Sequence, residues 1–505
     1  MSAANLPVIV GAGQFVNRSR DLTDACEPLE MMEIVARAAE DDAGVHGLLT
    51  SIDSLQVVNI IAWPYPDAPG LLATRLAARP AHRMYTTVGG ETPQRLINET
   101  AERIVRGESR LALLCGAEVM SSVPRARKQG FKLPWHRRGA PQETVGDGRV
   151  GVSDVESSHG AFIPSRVYPL FENALRANLG LTIEEHGRRL GVLCQRLSAV
   201  AADNPYAWFQ EALTADQITA VSPDNRMICF PYTKRMNAIM EVDQAAAVIV
   251  TGSQTARELG VPEDRWVYLW GCCDANDKWF VSDRVNLHSS PAIRAATSRA
   301  LGMAGLTADE IDFFDLYSCF PSAVQLAMGE MGLSFDDSRP LTITGGLPYA
   351  GGPGNNYVMH AVATAVARLR ANPDEKGLIT GLGWFATKHS AGVYGARRPP
   401  SGRWQRTDPQ TDQARLEAMA SPPTVERPEG PASVESYTVQ FNREREPELG
   451  IVIGRMGEGE RPGARFIANT PADRDLLWSL TRHEFVGACG RVSHDAQSGR
   501  NVFRP

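Results

Sequence analysis

At 505 residues and 43% hydrophobic composition, the chain can bury a large core and has the length of more than one domain. A formal net charge of −6 with 22% charged residues leaves no basic footprint for nucleic acid. Eight cysteines lie scattered without a Cys-x-x-Cys pair, which points to a reduced intracellular protein and against a zinc or other metal site.

The apolar run Leu6 to Val10 is too short for a signal peptide, and no uncharged stretch could span a bilayer, so the cytoplasm is the expected location. Pro7 to Gly13 reads as a buried strand entering a glycine turn. It holds only part of a dinucleotide fingerprint, so no Rossmann site is expected there. Leu29 to Ala43 has helical spacing, and Ser54 to Ile61 reads as a strand.

A strand around Tyr85 runs into Gly89-Gly90-Glu91-Thr92-Pro93, then into a helix carrying Leu96, Ile97, Ile104 and Val105. Pro93 suits the first turn of that helix, with Thr92 or Glu91 as its cap. Leu111 to Leu114 is a strand, followed by Cys115-Gly116-Ala117-Glu118-Val119-Met120-Ser121-Ser122; Cys115 is expected to be a small buried core residue. From Ser122 to about Met240 the pattern is less regular, with basic Lys128 to Arg138 and acidic Asp154 to Ser158. Thr182 to Ala202 is an amphipathic helix with a Thr182/Glu185 capping box, and His186 is expected on its solvated face. Phe230 to Asn237 is a return loop leading to a strand at Glu241 to Thr251.

Val267 to Gly271 opens a second strand–helix series, with a helix from Ser290 to Met303 capped by Ser290. Three breaks follow. Phe314 to Pro321 precedes a helix at Ser322 to Met331, and Thr344 to Asn356 precedes one at Tyr357 to Arg370. Leu378 to Gly383 is a strand leading through Trp384-Phe385-Ala386-Thr387-Lys388-His389-Ser390 to a second strand at Gly392 to Tyr394. Glycine is dense here because the backbone must turn or approach a ligand closely. The strand–helix–glycine-turn order occurs twice, a duplication at domain scale. Pro399 to Gly430 reads as a linker with a short helical patch, Thr411 to Met419. Short strands at Ser436 to Phe441, Glu448 to Gly454, Ala464 to Ala468 and Val502 to Phe503, with a helical Pro471 to Thr481, read as a small barrel of OB type.

These motifs resemble the thiolases, enzymes that make or cleave 3-ketoacyl-CoA thioesters. The family's Asn-Glu-Ala-Phe or His-Asp-Cys-Phe segment corresponds to Tyr317-Ser318-Cys319-Phe320. Its Gly-Gly…Gly-His-Pro loop corresponds to Gly345, Gly346, Gly351, Gly352 and Pro353, and its Cys-x-Gly turn to Gly381-Leu382-Gly383. In the first half, Gly-Ala-Glu-Val-Met-Ser matches at Gly116 to Ser121, and Glu241 to Thr251 matches another family strand, with Gln244 in place of the usual glycine. Counting back from Gly107 without a gap, the family's nucleophilic cysteine corresponds to Gly90, and with a slip of one residue to Gly89; neither is Cys, Ser or Thr. The resemblance implies an α/β, duplicated, layered αβαβα fold. Its first half covers 1–121 and 241–264, its loop domain 122–240 and its second half 265–398, with a linker at 399–430 and the OB-like accessory barrel at 431–505.

The resemblance also implies a ligand, coenzyme A or an acyl-CoA thioester, with no separate cofactor, contacting Gly89, Gly90, Gly346, Gly351, Gly352 and Gly383. The scaffolding residues match, whereas the reactive positions hold Gly90, Tyr317, Gly352 and Gly381. The leading expectation is a thiolase-like protein of lipid metabolism that binds an acyl ligand with little or no thiolysis or condensation. One alternative is an active acyltransferase using Cys319 with His389 or His360 as base and Tyr317 polarising a carbonyl. The other is a non-catalytic subunit of a lipid or steroid complex, recruiting a protein partner through the C-terminal domain. The family suggests a homodimer through the sheet edge near Tyr85, and a monomer is also compatible with the sequence.

Overall fold

The computed structural model describes residues 5–459 and 461–505. Strands β1 (Pro7–Val16), β2 (Ser54–Val57), β3 (His82–Tyr85) and β4 (Leu111–Val119) lie in the first part of the chain, and β5 (Met227–Cys229) and β6 (Tyr232–Thr233) in the loop domain. β7 (Asp243–Gly252), β8 (Val267–Asn276), β9 (Phe313–Asp315), β10 (Lys376–Gly383) and β11 (Lys388–Gly395) follow. Nine of these form one sheet in the order β3-β2-β4-β7-β1-β8-β11-β10-β9.

The duplication read from the sequence is visible in strand direction. β7 is antiparallel to β1 and to β4, and β11 is antiparallel to β8 and to β10. β2 is parallel to β4, as β9 is to β10. The halves join where Val8 and Ile9 of β1 face Tyr268 and Val267 of β8. Helices Thr92–Val105 and Tyr357–Ala371 pack on each other and touch strands of both halves, whereas Pro28–Ala43 and Pro291–Ala304 cover the outer faces. This is the layered architecture expected. Gly11 and Gly13 lie where a Cβ would collide with the carbonyls of Ala39 and Val35, so these glycines serve close helix–strand packing.

The edge strand β3 is covered at its C-terminal end. The Val145 N–H donates to Tyr85 O at 2.8 Å, and the Thr87 N–H to Val145 O at 3.1 Å. No helix of the described residues is long and apolar enough to cross a membrane, and no cluster of metal-ligating side chains occurs among them.

The loop domain contains a helix the sequence reading missed, Pro164–Asn178, with Pro169 inside it. The capped helix is Ile183–Asp203, with the Thr182/Glu185 box as expected. His186, expected on a solvated face, is instead buried, with Nε2 2.6 Å from Glu172 Oε1. Glu172 also accepts from Gln325 at 2.7 Å and from the Tyr232 hydroxyl at 2.5 Å, so a polar cluster welds the two loop-domain helices to the second half. The amphipathic pattern had no way to show the helix that covers this face.

Strands β12 (Gly430–Phe441), β13 (Pro447–Met456), β14 (Arg465–Asn469), β15 (Cys489–Asp495) and β16 (Arg500–Arg504) close into a barrel in the order β12-β13-β14-β16-β15-β12. β15 was absent from the sequence reading. Of its residues only Val492 is buried, so it carries no alternating apolar signal. β5 pairs with β12 at Cys229 and Gln440, extending the barrel sheet into the loop domain. The barrel is docked, not tethered. Asn173 donates to Tyr437 O at 2.8 Å, Arg176 pairs with Glu484, and the fully buried Arg465 donates to Ser282 O at 3.0 Å. The stretch read as a linker is also held down. Arg406 pairs with Asp274 and Glu102, Arg299 with Asp412, and helix Pro409–Ala418 lies against β8.

Candidate functional site

Residues far apart in sequence converge on a cavity of ≈470 Å³. Gly89 and Gly90 reach it from the turn after β3, Tyr317 and Cys319 from the turn after β9, Gly352 from the loop before helix Tyr357–Ala371, and Leu382 from the end of β10. The loop domain contributes Tyr168, Asn237 and Ile239. Ile163, Ile228, Met240, Phe320, Leu347 and Trp384 make much of the wall apolar.

Gly90 lies before helix Thr92–Val105, whose first turn holds Pro93 as expected. A Cβ on Gly90 would project into the Tyr317 hydroxyl, 2.8 Å from Tyr317 Cζ and 2.5 Å from Leu382 O. The space that a side chain at position 90 would need is therefore filled by Tyr317. Gly381 is closed in the same way, since a Cβ there would lie 2.8 Å from Glu91 Cα. Gly352 is less crowded, with Ile239 O at 3.3 Å and Leu347 Cδ2 at 3.4 Å from its Cβ position.

Tyr317 is fixed by its N–H to Thr380 Oγ1 at 2.9 Å and by an edge-on contact with Tyr357, with 5.6 Å between ring centroids. It is 7% exposed, and its hydroxyl, at the cavity, makes no hydrogen bond among the described residues. Burial, with Cys319 and Glu91 nearby, raises its pKa well above the ordinary value, so it stays a protonated donor.

Behind Gly89 and Gly383 sits a buried ion pair, with Lys388 Nζ 2.8 Å from Glu91 Oε1. Lys388 also donates to Val88 O at 2.8 Å, while Glu91 Oε2 is buried without a partner. A Cβ on Gly89 or Gly383 would run into the Glu91 carboxylate. Of the glycines expected to contact ligand, Gly89, Gly90 and Gly352 line the cavity. The other three pack elsewhere: Gly346 on Ser318, Gly351 on Gln244, and Gly383 on Glu91.

The three substitute residues are not brought together. Cys319 lines the cavity, and burial pushes its thiol up to about 12, with Tyr168 as its side-chain hydrogen-bond neighbour. Neither His389 nor His360 lines the cavity or bonds to Cys319. Burial lowers His389 to about 3, so the neutral ring donates from Nε2 to Ala386 O at 3.0 Å, and the 3.7 Å approach to Asp277 is no ion pair. That bond helps hold a strained turn in which Trp384 and Ala386 have φ of 54° and 52°. Tyr168 donates to Trp384 O at 2.9 Å and Arg284 to Ala386 O at 2.7 Å, fastening the same turn. His360 faces Gln14 Oε1 at 2.9 Å, with Nε2 buried and unpartnered.

Sequence reasoning missed Tyr168, Lys388 and Asn237 as parts of the site. Tyr168 sits on the unrecognised helix beside Pro169. Lys388 had a visible signal, a lone cation in a glycine-rich apolar stretch. Asn237, whose Oδ1 is buried without a partner, lay in a segment read only as a return loop.

The thiolase-like protein type 1 additional C-terminal domain family matches residues 413–497. A crystal structure of a monomeric SCP2-thiolase like protein type 1 from Mycobacterium smegmatis superposes with TM-score 0.86 at 32% identity, covering 100% of both chains. An Ltp2-ChsH2(DUF35) aldolase structure superposes with TM-score 0.60 at 17% identity over 78% of this chain and 99% of that one, a likeness of fold alone. An acetyl-CoA acetyltransferase of Methanocaldococcus jannaschii is 23% identical over 297 residues, 58% of this chain and 68% of the relative.

Proposed function

Because the chain belongs to the thiolase family, in its SCP2-thiolase-like branch with an additional C-terminal domain, we propose that it binds an acyl-CoA or related acyl ligand without thiolase turnover. What supports this reading is the Tyr317 hydroxyl filling the space over Gly90, the position to which the resemblance assigns the family's nucleophile. A covalent route that lacks its attacking group is abolished, not merely slowed. The volume and apolar wall of the cavity suit an acyl chain, since small-molecule sites span roughly 300–1,000 Å³ and are mostly apolar.

An active enzyme built on Cys319 is disfavoured. Its thiol is held protonated, and both candidate imidazoles are engaged elsewhere. We read the barrel as OB type from its strand order, which includes a parallel β14–β16 pair. In this reading it braces helix Pro164–Asn178, and through it the cavity wall. A protein partner would then meet the barrel's outer surface, because the inner face is occupied by the loop domain.

Calorimetric titration with CoA and acyl-CoAs, beside a thiolysis assay with acetoacetyl-CoA, tests the proposal. Binding without turnover is expected. Turnover abolished by Cys319→Ala would replace this reading with the acyltransferase one.

A further inference from the structure

We propose that Tyr317 is the recognition residue of the cavity: its hydroxyl donates a hydrogen bond to the thioester carbonyl of a bound acyl-CoA, so the site prefers acylated to free CoA. This inference rests on the reading that the cavity takes an acyl thioester.

Three observations meet at this atom. The hydroxyl projects over Gly90 at the start of the 14-residue helix Thr92–Val105, where the helix dipole favours a partial negative charge such as a carbonyl oxygen. The side chain is 93% buried by its 7% exposure, it lines the cavity, and its hydroxyl has no partner among the described residues. A donor that borders the cavity without a partner has its hydrogen bond to give to whatever enters. Finally, the ring is fixed before any ligand arrives, by Thr380 at its backbone N–H and Tyr357 at its edge. Little orientational freedom remains to be lost on binding.

The same surroundings limit what the bond can do. Removing a proton next to the polarised carbonyl needs a base, and the one carboxylate among the residues lining the cavity, Glu241, is solvent-exposed and not packed beside Tyr317. Cys319 is held as the thiol, and Glu91 lies behind Gly89, tied to Lys388. The contact therefore selects and orients the ligand and leaves its covalent bonds intact.

The test uses the full chain with an acyl-CoA and the S-alkyl-CoA thioether of equal chain length, which lacks the carbonyl. Wild type is expected to bind the thioester about tenfold more tightly than the thioether, and Tyr317→Phe to bind both alike. With a 13C-labelled thioester carbonyl, difference infrared spectra should show the stretch moving to lower wavenumber on wild type and not on Tyr317→Phe. If both ligands bind wild type equally and the band does not move, the inference is overturned while the cavity reading stands. If neither ligand binds, both fall. The wild-type spectrum decides the matter even if Tyr317→Phe folds poorly.

Discussion

The Tyr317 hydroxyl occupies the space into which a Cβ on Gly90 would project. Gly90 is not held in a left-handed conformation, so the barrier to a side chain there is space alone. Gly90→Cys should therefore destabilise the protein by about 1–3 kcal/mol, the usual cost of overpacking. Gly90→Cys combined with Tyr317→Ala should recover much of that loss. Thermal denaturation of the two single variants and the double variant checks this. Additive losses would show that the two positions do not compete for the same volume.

A second expectation concerns Lys388 and Glu91, paired at 2.8 Å behind the glycine turns. Lys388→Met leaves the Glu91 carboxylate buried without its cation and should cost about 3–5 kcal/mol. Adding Glu91→Gln removes the stranded charge and should restore most of the stability. Urea denaturation of Lys388→Met, Glu91→Gln and the double variant measures the coupling.

How far the sequence disclosed this site can be judged from these residues. The convergence of Gly90, Tyr317 and Gly352 was legible, because each sits in a motif whose order is fixed by the chain. The packing of Tyr317 onto Gly90 was not, since it depends on two turns that are 227 positions apart (317 minus 90) meeting across the sheet. Hydrophobic periodicity disclosed the repeated strand–helix order, and the resemblance of the glycine-turn motifs to the thiolases implied the αβαβα layers. The docked strap and barrel did not, because polar bonds from Arg406, Arg465 and Asn173 leave no periodic trace. His186 shows the same limit: helical spacing tells which residues share a face, and only tertiary structure tells what covers it.

His360 makes a pH prediction with a definite sign. Burial lowers it from 6.5 to about 3, so as pH falls the unfolded chain takes up this proton before the folded one does. Its contribution to stability is present above about pH 6.5 and is lost as pH falls toward 3. His360→Gln should lower the slope of unfolding free energy between pH 6 and 4.5 by about 1.4 kcal/mol per pH unit. An unchanged slope would mean that the ring already carries its proton in the folded protein.

The covered edge of β3 bears on assembly. Val145 satisfies both Tyr85 O and the Thr87 N–H, groups that a second chain would need for sheet pairing. Light scattering should report a particle of 54.9 kDa, a monomer. Replacing residues 140–148 with a short Gly-Ser turn should expose the edge and produce concentration-dependent self-association. A wild-type dimer that survives that replacement would place the interface elsewhere.

The most direct measurement is intact-protein mass spectrometry on the full chain incubated with an acyl-CoA, with released CoA assayed in the same sample and binding followed by calorimetry. A ligand held without covalent capture predicts saturable binding, an unchanged protein mass and no CoA release. An acyl adduct that maps to Cys319, appearing together with stoichiometric free CoA, would contradict the account.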